Sequence, residues 1–273
     1  NFWHQLGAKR VVLARELSLE EIKQIRAESH PDIDLEVFVH GAMCISYSGR
    51  CLLSNYMAGR DANQGDCAQR PGEYFPIEDT EDGTFIMNSK DLCLLPELEE
   101  LIEAGVMSFK IEGRVKSQYY VSTVIHAYRQ ALDLIIAGDF NEEKAGELVK
   151  ELEKTSHRHF TKGFYYGKPD SSAQNYETTS YSQSYEFIGV VKAYDGARGA
   201  ALIEERNKFE VGDEVEIFGA RPGFITFTID KILDEGMETV ESANVPRKLY
   251  WINCPEMVEE GDLVRRELQT EEA

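Results

Sequence analysis

The sequence of 273 residues has no long hydrophobic run. A helix that spans a bilayer needs about 20 consecutive apolar residues, so we expect no membrane partner. No secretory signal pattern opens the chain, which predicts a cytoplasmic protein. With 42% hydrophobic and 29% charged residues, the composition is that of a globular protein that can bury a core.

Positive charge is also scarce, because 29 lysines and arginines stand against 49 aspartates and glutamates. The formal net charge is therefore −20 at pH 7. Proteins that wrap nucleic acid without sequence preference need clustered basic side chains on the phosphates. The composition argues against that mode of binding but does not exclude a local basic site. Basic residues recur in two places, one with Arg50, Arg60 and Arg70 and the other with Lys110, Arg114 and Lys116.

Several catalytic and metal-binding motifs are missing. The chain has no HExxH, no GxSxG, no P-loop and no GxGxxG, which excludes the enzyme classes that depend on them. Its five cysteines are an odd number, and without a secretory signal a disulfide framework is disfavoured. The CxxC pairs typical of zinc ribbons are absent too, which makes structural zinc a weaker prediction.

Segments typical of strands and helices alternate in residues 1–155. Leu35–His40 and Val106–Ile111 are short apolar runs, and Ser18 with Glu21 forms a capping box ahead of a helix. This alternation predicts an α/β fold with a parallel sheet. Because only about four strands are present, we expect the second half of a (β/α) barrel-like domain, with the first half preceding this sequence.

The pattern changes after residue 155. Residues 156–184 end in a polar, Ser/Thr-rich stretch without periodicity and are predicted to form an extended linker. Residues 185–268 contain short alternating strands and tight turns without a helical period. They predict a small all-β domain, most simply a β-barrel.

Cysteine is concentrated in one part of the chain. Cys44, Cys51 and Cys67 lie in a glycine-rich segment, and Cys93 follows a strand predicted at Thr84–Met87. Loops after the carboxyl ends of strands form the sites of α/β barrels, so these four sulfurs can converge. Four thiolates can bind an iron–sulfur cluster or a structural zinc ion. Four unrelated buried cysteines explain the spacing equally well, since thiols are often buried.

A second group of candidate residues lies in "FKIEGRVKS". Lys110, Glu112, Arg114 and Lys116 crowd a predicted strand-to-helix turn there. A helix N-terminus with nearby arginine and lysine suits an anionic substrate, either a carboxylate or a phosphate. Glu112 would then orient a cation or act as a general acid–base. A salt-bridged helix cap without a catalytic role is the competing interpretation.

The segment "TSHRHFTKGFYYGKP" offers an H-x-H pair at His157 and His159. No acidic residue stands beside the pair at a ligand spacing, so we predict two surface histidines. Cys254 precedes Pro255 and has no cysteine partner in the β domain. It is predicted to be a buried small residue.

The residues from Glu36 to Ser54, "EVFVHGAMCISYSGRCLLS", resemble the signature of peptidase family U-32, the collagenase-like proteins. Further stretches are similar to family blocks and follow in the family order: "GRDANQGDCAQ", "FIMNSKDLC", "FKIEGRVKSQYY" and "SHRHFTKGFYYG". One stretch departs from the family pattern. Relatives have a further cysteine and arginine shortly after the third cysteine, where this chain has "CAQRPGEY".

The resemblance implies a chemistry that spacing alone leaves open. Better-understood members of the family carry a 4Fe-4S cluster on four cysteines and hydroxylate without oxygen, so the ligands carry over to Cys44, Cys51, Cys67 and Cys93. The implied reaction is hydroxylation of the tRNA wobble uridine at carbon 5, with prephenate as the hydroxyl source. The implied partners are the tRNA anticodon loop and a family paralogue or a second copy of the chain.

The resemblance also directs attention to particular side chains. The catalytic candidates are Lys110, Glu112 and Arg114, and the substrate-binding candidates are Lys116, Arg60, Asp61 and Arg158. Two rival functions stay open: a peptidase acting on collagen-like chains, as the family name states, and a non-catalytic cluster-bearing subunit or scaffold. Without the first half of the barrel we expect the chain alone to be inactive.

Overall fold

The structure of the protein, a computed structural model, describes residues 1–43, 89–114, 116–169, 182–221 and 223–268. The chain divides into two compact units. The first comprises Asn1–Arg114 and His157–Tyr181, and the second comprises Val115–Ser156 and Ser182–Ala273. This grouping differs from the sequence-based division at residue 155, because Val115–Ser156 groups with the β-rich part of the chain.

The first unit is a mixed α/β arrangement. Its described elements are α1 (Phe2–Gln5), β1 (Arg10–Val12), α2 (Leu19–Glu28), β2 (Asp34–Gly41), β3 (Asp91–Cys93), α3 (Leu98–Glu103), β4 (Ser108–Ile111) and β5 (Phe160–Thr161). The capping box predicted for α2 is confirmed, because the Ser18 side chain accepts the Glu21 N–H and the Glu21 carboxylate accepts the Ser18 N–H.

Strand β2 organises the sheet of the first unit. It pairs in parallel with β1 and β4 and in antiparallel register with β3, which in turn pairs in parallel with β5. Leu35, Val37 and Val39 are buried, whereas Glu36 and Phe38 alternate with them and are half-buried. The predicted parallel α/β character is therefore confirmed only in part. The described strands form a mixed sheet, not a complete barrel.

Two of these strands had no counterpart in the sequence-based prediction. Strand β3 is three residues long, and β5 is two residues long and lies within the segment predicted to be an extended linker. Runs this short show no periodicity, and only pairing with a neighbour makes them strands.

The second unit joins two helices to an antiparallel sheet. Its helices are α4 (Gln118–Ala137) and α5 (Glu142–Leu152). Its strands are β6 (Tyr185–Asp195), β7 (Ala200–Glu205), β8 (Phe209–Glu210), β9 (Glu214–Phe218), β10 (Ile225–Thr228), β11 (Ile232–Leu233), β12 (Thr239–Val240), β13 (Ser242–Ala243), β14 (Leu249–Asn253) and β15 (Leu263–Glu267).

Both helices begin at a capping side chain, and α4 ends at a glycine. The Ser117 side chain accepts the Tyr120 N–H at the start of α4, and the helix ends at Gly138 in the left-handed conformation that favours glycine. The Asn141 side chain accepts the Lys144 N–H at the start of α5. No helix in the described part of the chain is both long and apolar enough to cross a bilayer.

The sheet of the second unit has eight strands in the order β10-β9-β15-β6-β7-β14-β11-β12, with every neighbouring pair antiparallel. A separate two-stranded ladder joins β8 and β13. The core under these strands contains Ile188, Val191, Ile203, Phe209, Ile217 and Ile252, among others. The predicted strand-rich character of residues 185–268 is confirmed. Closure into a barrel is not, because among the described residues β10 and β12 stand at opposite ends of the strand order.

Candidate functional site

Several predicted site residues lie at one edge of the first unit's sheet. The parallel strands β1, β2 and β4 all run toward this edge, where Arg15 follows β1, Gly41 ends β2 and Glu112 follows β4. Carboxyl ends of parallel strands are where α/β proteins assemble their binding sites. We call this edge the strand-end site.

Gly41 allows the ends of β2 and β4 to approach closely. Its φ is +115°, and a Cβ atom at this position would lie 2.6 Å from the carbonyl oxygen of Glu112. The Glu112 N–H donates to the His40 carbonyl at 2.9 Å, and the Glu112 carboxylate accepts the Arg114 N–H at 3.1 Å. Glu112 thus holds the turn that carries Arg114, whose side chain is exposed.

Two cations lie against the ring of Phe38 on β2. The Arg15 Cζ atom is 4.0 Å from the ring centroid and the Lys110 Nζ atom is 4.9 Å from it. Arg15 also donates from Nη1 to the Ala42 carbonyl just beyond β2. Arg15, Phe38 and Lys110, which we call the Phe38 cluster, therefore connect β1, β2 and β4 at the strand-end site.

Glu36 is a carboxylate near the Phe38 cluster. Glu36 accepts a hydrogen bond from Ser108 at 2.8 Å and lies 3.5 Å from Arg10. Its other oxygen is 3.8 Å from Lys110 Nζ, which is beyond hydrogen-bond distance. Lys110 is thus only loosely associated with Glu36, and its side chain is 41% exposed.

Cys93, a predicted cluster ligand, lies within β3 and is 2% exposed. It is paired with His40 of β2 in antiparallel register. Directly opposed residues of an antiparallel pair project from the same face of a sheet, so the Cys93 thiol and the buried His40 imidazole are neighbours. The expectation that Cys93 lies in a loop after a strand is wrong, because pairing with β2 draws this residue into the sheet.

Other predicted site residues fall on a part of the chain that the structure does not describe. These are the ligands Cys44, Cys51 and Cys67, the substrate-binding candidates Arg60 and Asp61, and the strand predicted at Thr84–Met87.

Arg158 lies beside β3. Its backbone N–H donates to the Asp91 carboxylate at 3.1 Å, and its Nη1 donates to the Ser89 carbonyl at 3.2 Å. The prediction of two surface histidines around it is half right. His159 is exposed, but His157 is 6% exposed and its ring stacks on Phe160 at 4.7 Å.

Lys116 belongs to the second unit. Its ammonium donates to the Ser156 carbonyl at 3.2 Å and lies 4.8 Å from the centroid of the Tyr120 ring. The structure therefore shows this lysine in a local role at the start of α4. Cys254 is 1% exposed, which confirms the prediction of a buried small residue, and burial raises the pKa of its thiol.

The second unit contains a buried ionic cluster around Arg265 of β15, which is 0% exposed. Its guanidinium donates to both carboxylate oxygens of Glu151 on α5 and, at 2.6 and 2.9 Å, to Glu216 on β9. Lys154 lies 3.2 Å from Glu151 and 3.1 Å from Glu216. Burial by itself would lower the pKa of Arg265, but its bonds to Glu151 raise it overall. We infer that these mutually neutralised charges attach α5 to the sheet.

His126 on α4 is a buried titratable group in the same unit. Its Nδ1 lies 2.9 Å from the Gly219 carbonyl, and its ring packs on Phe218 and Phe224. Among the described residues its Nε2 has no hydrogen-bond partner. Burial lowers the pKa of His126, which favours the neutral imidazole with its proton on Nδ1.

One group of possible metal ligands occurs among the described residues. His4, His30 and Asp32 bring their ligand atoms within 4.8 Å of one another. The two imidazole rings are stacked with centroids 3.7 Å apart and planes 12° apart. Lone pairs in nearly parallel stacked planes do not converge on one ion, so this arrangement does not fit a metal.

Sequence reasoning missed Arg15, Phe38, His40 and Asp91. Arg15 could have been predicted, because it comes three residues after β1 and site residues often follow the ends of strands. Phe38 and His40 carry no signal of their own, because a half-buried or buried ring within a strand is an ordinary packing residue. Asp91 lies in a strand too short to be predicted.

Comparison with known proteins shows what the chain is similar to. The model of peptidase family U32 matches residues 1–175, and that of the U32 C-terminal domain matches residues 183–265. The tRNA hydroxylation protein P1 of Bacillus subtilis is 37% identical over 97% of this chain and 65% of its own length. A collagenase of Porphyromonas gingivalis is 30% identical over 94% of this chain and 66% of its own length.

A solved C-terminal domain of a Geobacillus thermoleovorans U32 peptidase is 33% identical to this chain. It covers 30% of this chain and 99% of its own, with a TM-score of 0.29. The present chain spans about two thirds of the length of the curated relatives it matches.

Proposed function

This chain belongs to peptidase family U32, and we propose that the protein it represents hydroxylates the wobble uridine of tRNA at carbon 5. The observation that carries the proposal is the 37% identity, over 97% of the chain, to the Bacillus subtilis relative named tRNA hydroxylation protein P1. In this proposal prephenate supplies the hydroxyl group without oxygen, in the cytoplasm. The anticodon base is already in a loop, so its exposure to an enzyme costs little.

The proposed cofactor is a 4Fe-4S cluster held by Cys44, Cys51, Cys67 and Cys93. Two observations support the fit: the donor set consists of four thiols, and Cys93 is buried on the sheet. Cys93 also pairs with His40, which precedes Cys44 by only four residues in the sequence. When bound, such a cluster supplies redox or Lewis-acid chemistry.

The proposed roles of the other residues follow from their contacts. Lys110 and Arg114 provide positive charge at the strand-end site, and Glu112 holds the turn that carries Arg114. Lys116 and Arg158 both donate to backbone carbonyls, so a substrate anion would share these cations with the protein. Arg60 and Asp61 complete the proposed substrate-binding set. A family paralogue or a second copy is the proposed protein partner.

Nucleoside analysis of tRNA tests the proposed reaction. We expect a strain without the gene to lose 5-hydroxyuridine and its derivatives, and the full-length gene to restore them. Unchanged levels in a strain that also lacks every paralogue would overturn the proposal.

Anaerobic purification tests the proposed cofactor. We expect the full-length protein to contain iron and sulfide, and Cys93→Ser to lose both. Cys254→Ser is the matched control, because this buried cysteine lies in the second unit. A wild-type protein that stays free of iron after reconstitution would refute the cluster.

Proteolysis is the second candidate function, favoured by the 30% identity to the Porphyromonas gingivalis collagenase. The test is incubation of the full-length protein with denatured collagen. Cleavage, together with tRNA nucleosides unchanged by deletion, would replace the hydroxylase proposal.

A further inference from the structure

We propose that His126 is an acid-sensitive latch within the second unit. Its neutral imidazole holds Phe224 and β10 against α4, and its protonation releases them. The inference is independent of the reaction proposed above, because it concerns the conformation of the β-rich unit and involves none of the proposed site residues.

The surroundings of the His126 ring favour the neutral form. The side chain is 8% exposed, its Nδ1 lies 2.9 Å from the Gly219 carbonyl, and its ring packs on Phe218 and Phe224. The buried Nε2 has no hydrogen-bond partner in the part of the chain that the structure describes. Both protonation states keep the bond to Gly219, but the imidazolium adds an N–H at Nε2. Burying a charged donor without an acceptor is costly.

The charged groups around His126 already balance one another. They are two carboxylates and two cations in mutual contact: Glu151 and Lys154 on α5, Glu216 on β9 and Arg265 on β15. Glu151 attracts an imidazolium at His126, and Arg265 repels it. Burial raises the pKa of Tyr119 on α4 to about 12, so this neighbour of Arg265 carries no charge near neutral pH. Protonated His126 is therefore a third cation beside two carboxylates.

Phe224 and β10 are the movable side of this contact. Among the described strands β10 stands at one end of the order and pairs only with β9. Phe224 directly precedes β10 and is 41% exposed. Strand β9 is held more firmly, because it also pairs with β15 and because Gly219, just after it, lies directly against the Asp262 carboxylate. Outward movement of Phe224 therefore gives Nε2 access to water while Gly219 stays in place.

The direction of the pH effect follows from proton linkage. Burial lowers the pKa of His126 in the closed form, whereas a solvated ring in the open form has the ordinary value of 6.5. Above that value the latch is fully closed. Below it the open form binds the proton first, so the opening constant rises by up to about tenfold per pH unit until the closed form also titrates. His126 is the only histidine of the second unit.

Hydrogen exchange followed by mass spectrometry tests the latch in the full-length protein. Protection factors, corrected for the intrinsic exchange rate, are measured from about pH 7.5 to about pH 5. We expect the peptide containing Phe224 and β10 to lose up to about tenfold in protection per pH unit below 6.5. Peptides from β7 and β14, which pair with each other inside the sheet, are the internal reference and should keep their protection.

Two variants assign the effect to His126. In His126→Gln a neutral amide donates to the Gly219 carbonyl at every pH, so the protection of β10 should no longer depend on pH. His30→Gln is the control, because it removes a histidine of the first unit whose side chain is 41% exposed. It should keep the pH dependence of the wild type.

Several results would overturn the latch. They are constant protection of β10 down to about pH 5, equal losses in β10 and in the reference strands, and the same pH dependence in His126→Gln as in the wild type. Nuclear magnetic resonance of the wild-type ring gives a test that needs no variant. An imidazole of His126 that titrates at or above 6.5 would also refute the latch, because the closed form would then not disfavour the proton.

Discussion

Both units contain cations packed on aromatic rings, but the burial of these cations differs between the units. In the second unit Arg265 lies within 5.1 Å of three ring centroids and is fully buried against Glu151 and Glu216. In the first unit Arg15 and Lys110 share the single ring of Phe38, and Lys110 stays partly exposed. The arrangement around Arg265 is closed by buried carboxylates and stabilises the fold, whereas the one around Phe38 stays partly open to solvent at Lys110.

Removing the buried cation should have the largest effect. Arg265→Met leaves Glu151 and Glu216 without their arginine, and breaking a buried pair in this way costs about 3–5 kcal/mol. The free energy of unfolding of the second unit should fall by that amount. Urea unfolding followed by Trp251 fluorescence, in a Trp3→Phe background, reports on this unit alone.

Arg266→Met is the control for this experiment. Arg266 adjoins Arg265 and pairs with Glu186 and Asp213, but its side chain is 24% exposed. Pairs of this kind contribute about 1 kcal/mol or less. Equal losses in the two variants would contradict a special role for the buried cluster.

Gly41→Ala should have the next largest effect, in the first unit. The new Cβ would lie 2.6 Å from the Glu112 carbonyl at a φ of +115°, and strain of this kind costs about 1–3 kcal/mol. We expect faster hydrogen exchange of the Glu112 amide, which donates to His40. Gly7→Ala is the matched control, because Gly7 also has a positive φ, +88°, but no atom lies within 4 Å of the added Cβ. The same exchange rate in both variants would rule out the close approach.

The buried imidazole of His126 should make the second unit sensitive to acid. Burial lowers its pKa in the folded state, with Glu151 opposing the shift and Arg265 adding to it. Below the ordinary value of 6.5 the unfolded chain binds a proton before the folded one does. The free energy of unfolding therefore falls as the pH falls below that value, and the contribution is fully present above it.

His126→Gln removes this titration. Unfolding of the second unit, measured from about pH 7.5 to about pH 5, should depend less steeply on pH in the variant than in the wild type. Identical pH dependence would show that His126 is not the responsible group.

The smallest expected effect on stability is that of Lys110→Gln. Lys110 is 3.8 Å from Glu36 and partly exposed, and loosely paired surface charges change stability by less than about 0.5 kcal/mol. Thermal unfolding of the first unit should therefore match that of the wild type. A large loss of stability would mean that the Phe38 cluster, like Arg265, mainly holds the fold together.

Local sequence signals predicted the helices well. The capping box of Ser18 with Glu21 is confirmed, and Asn141 and Gly138 mark helix ends by a hydrogen bond to a neighbouring residue and by a left-handed turn. Such contacts involve residues a few positions apart, so they can be predicted from the sequence.

Strands that exist only through pairing were not predictable. Strand β3 brings Cys93 beside His40, which lies 53 positions earlier in the sequence. Strand β5 pairs with Asp91 at Phe160 and places Arg158 and His159 beside it. Neither strand is long enough to show alternation, so their positions depend on a sheet that other residues build.

The sequence by itself determined the capped start of α2, the strand-rich second part and the family resemblance, because these depend on local patterns and short motifs. Only the tertiary structure decided which cations meet which aromatic rings. Arg15, Phe38 and Lys110 come from three strands or strand ends, and Arg265 finds Glu151 across 114 positions. Long-range electrostatic contacts are fixed by sheet register and helix packing, which no local pattern encodes.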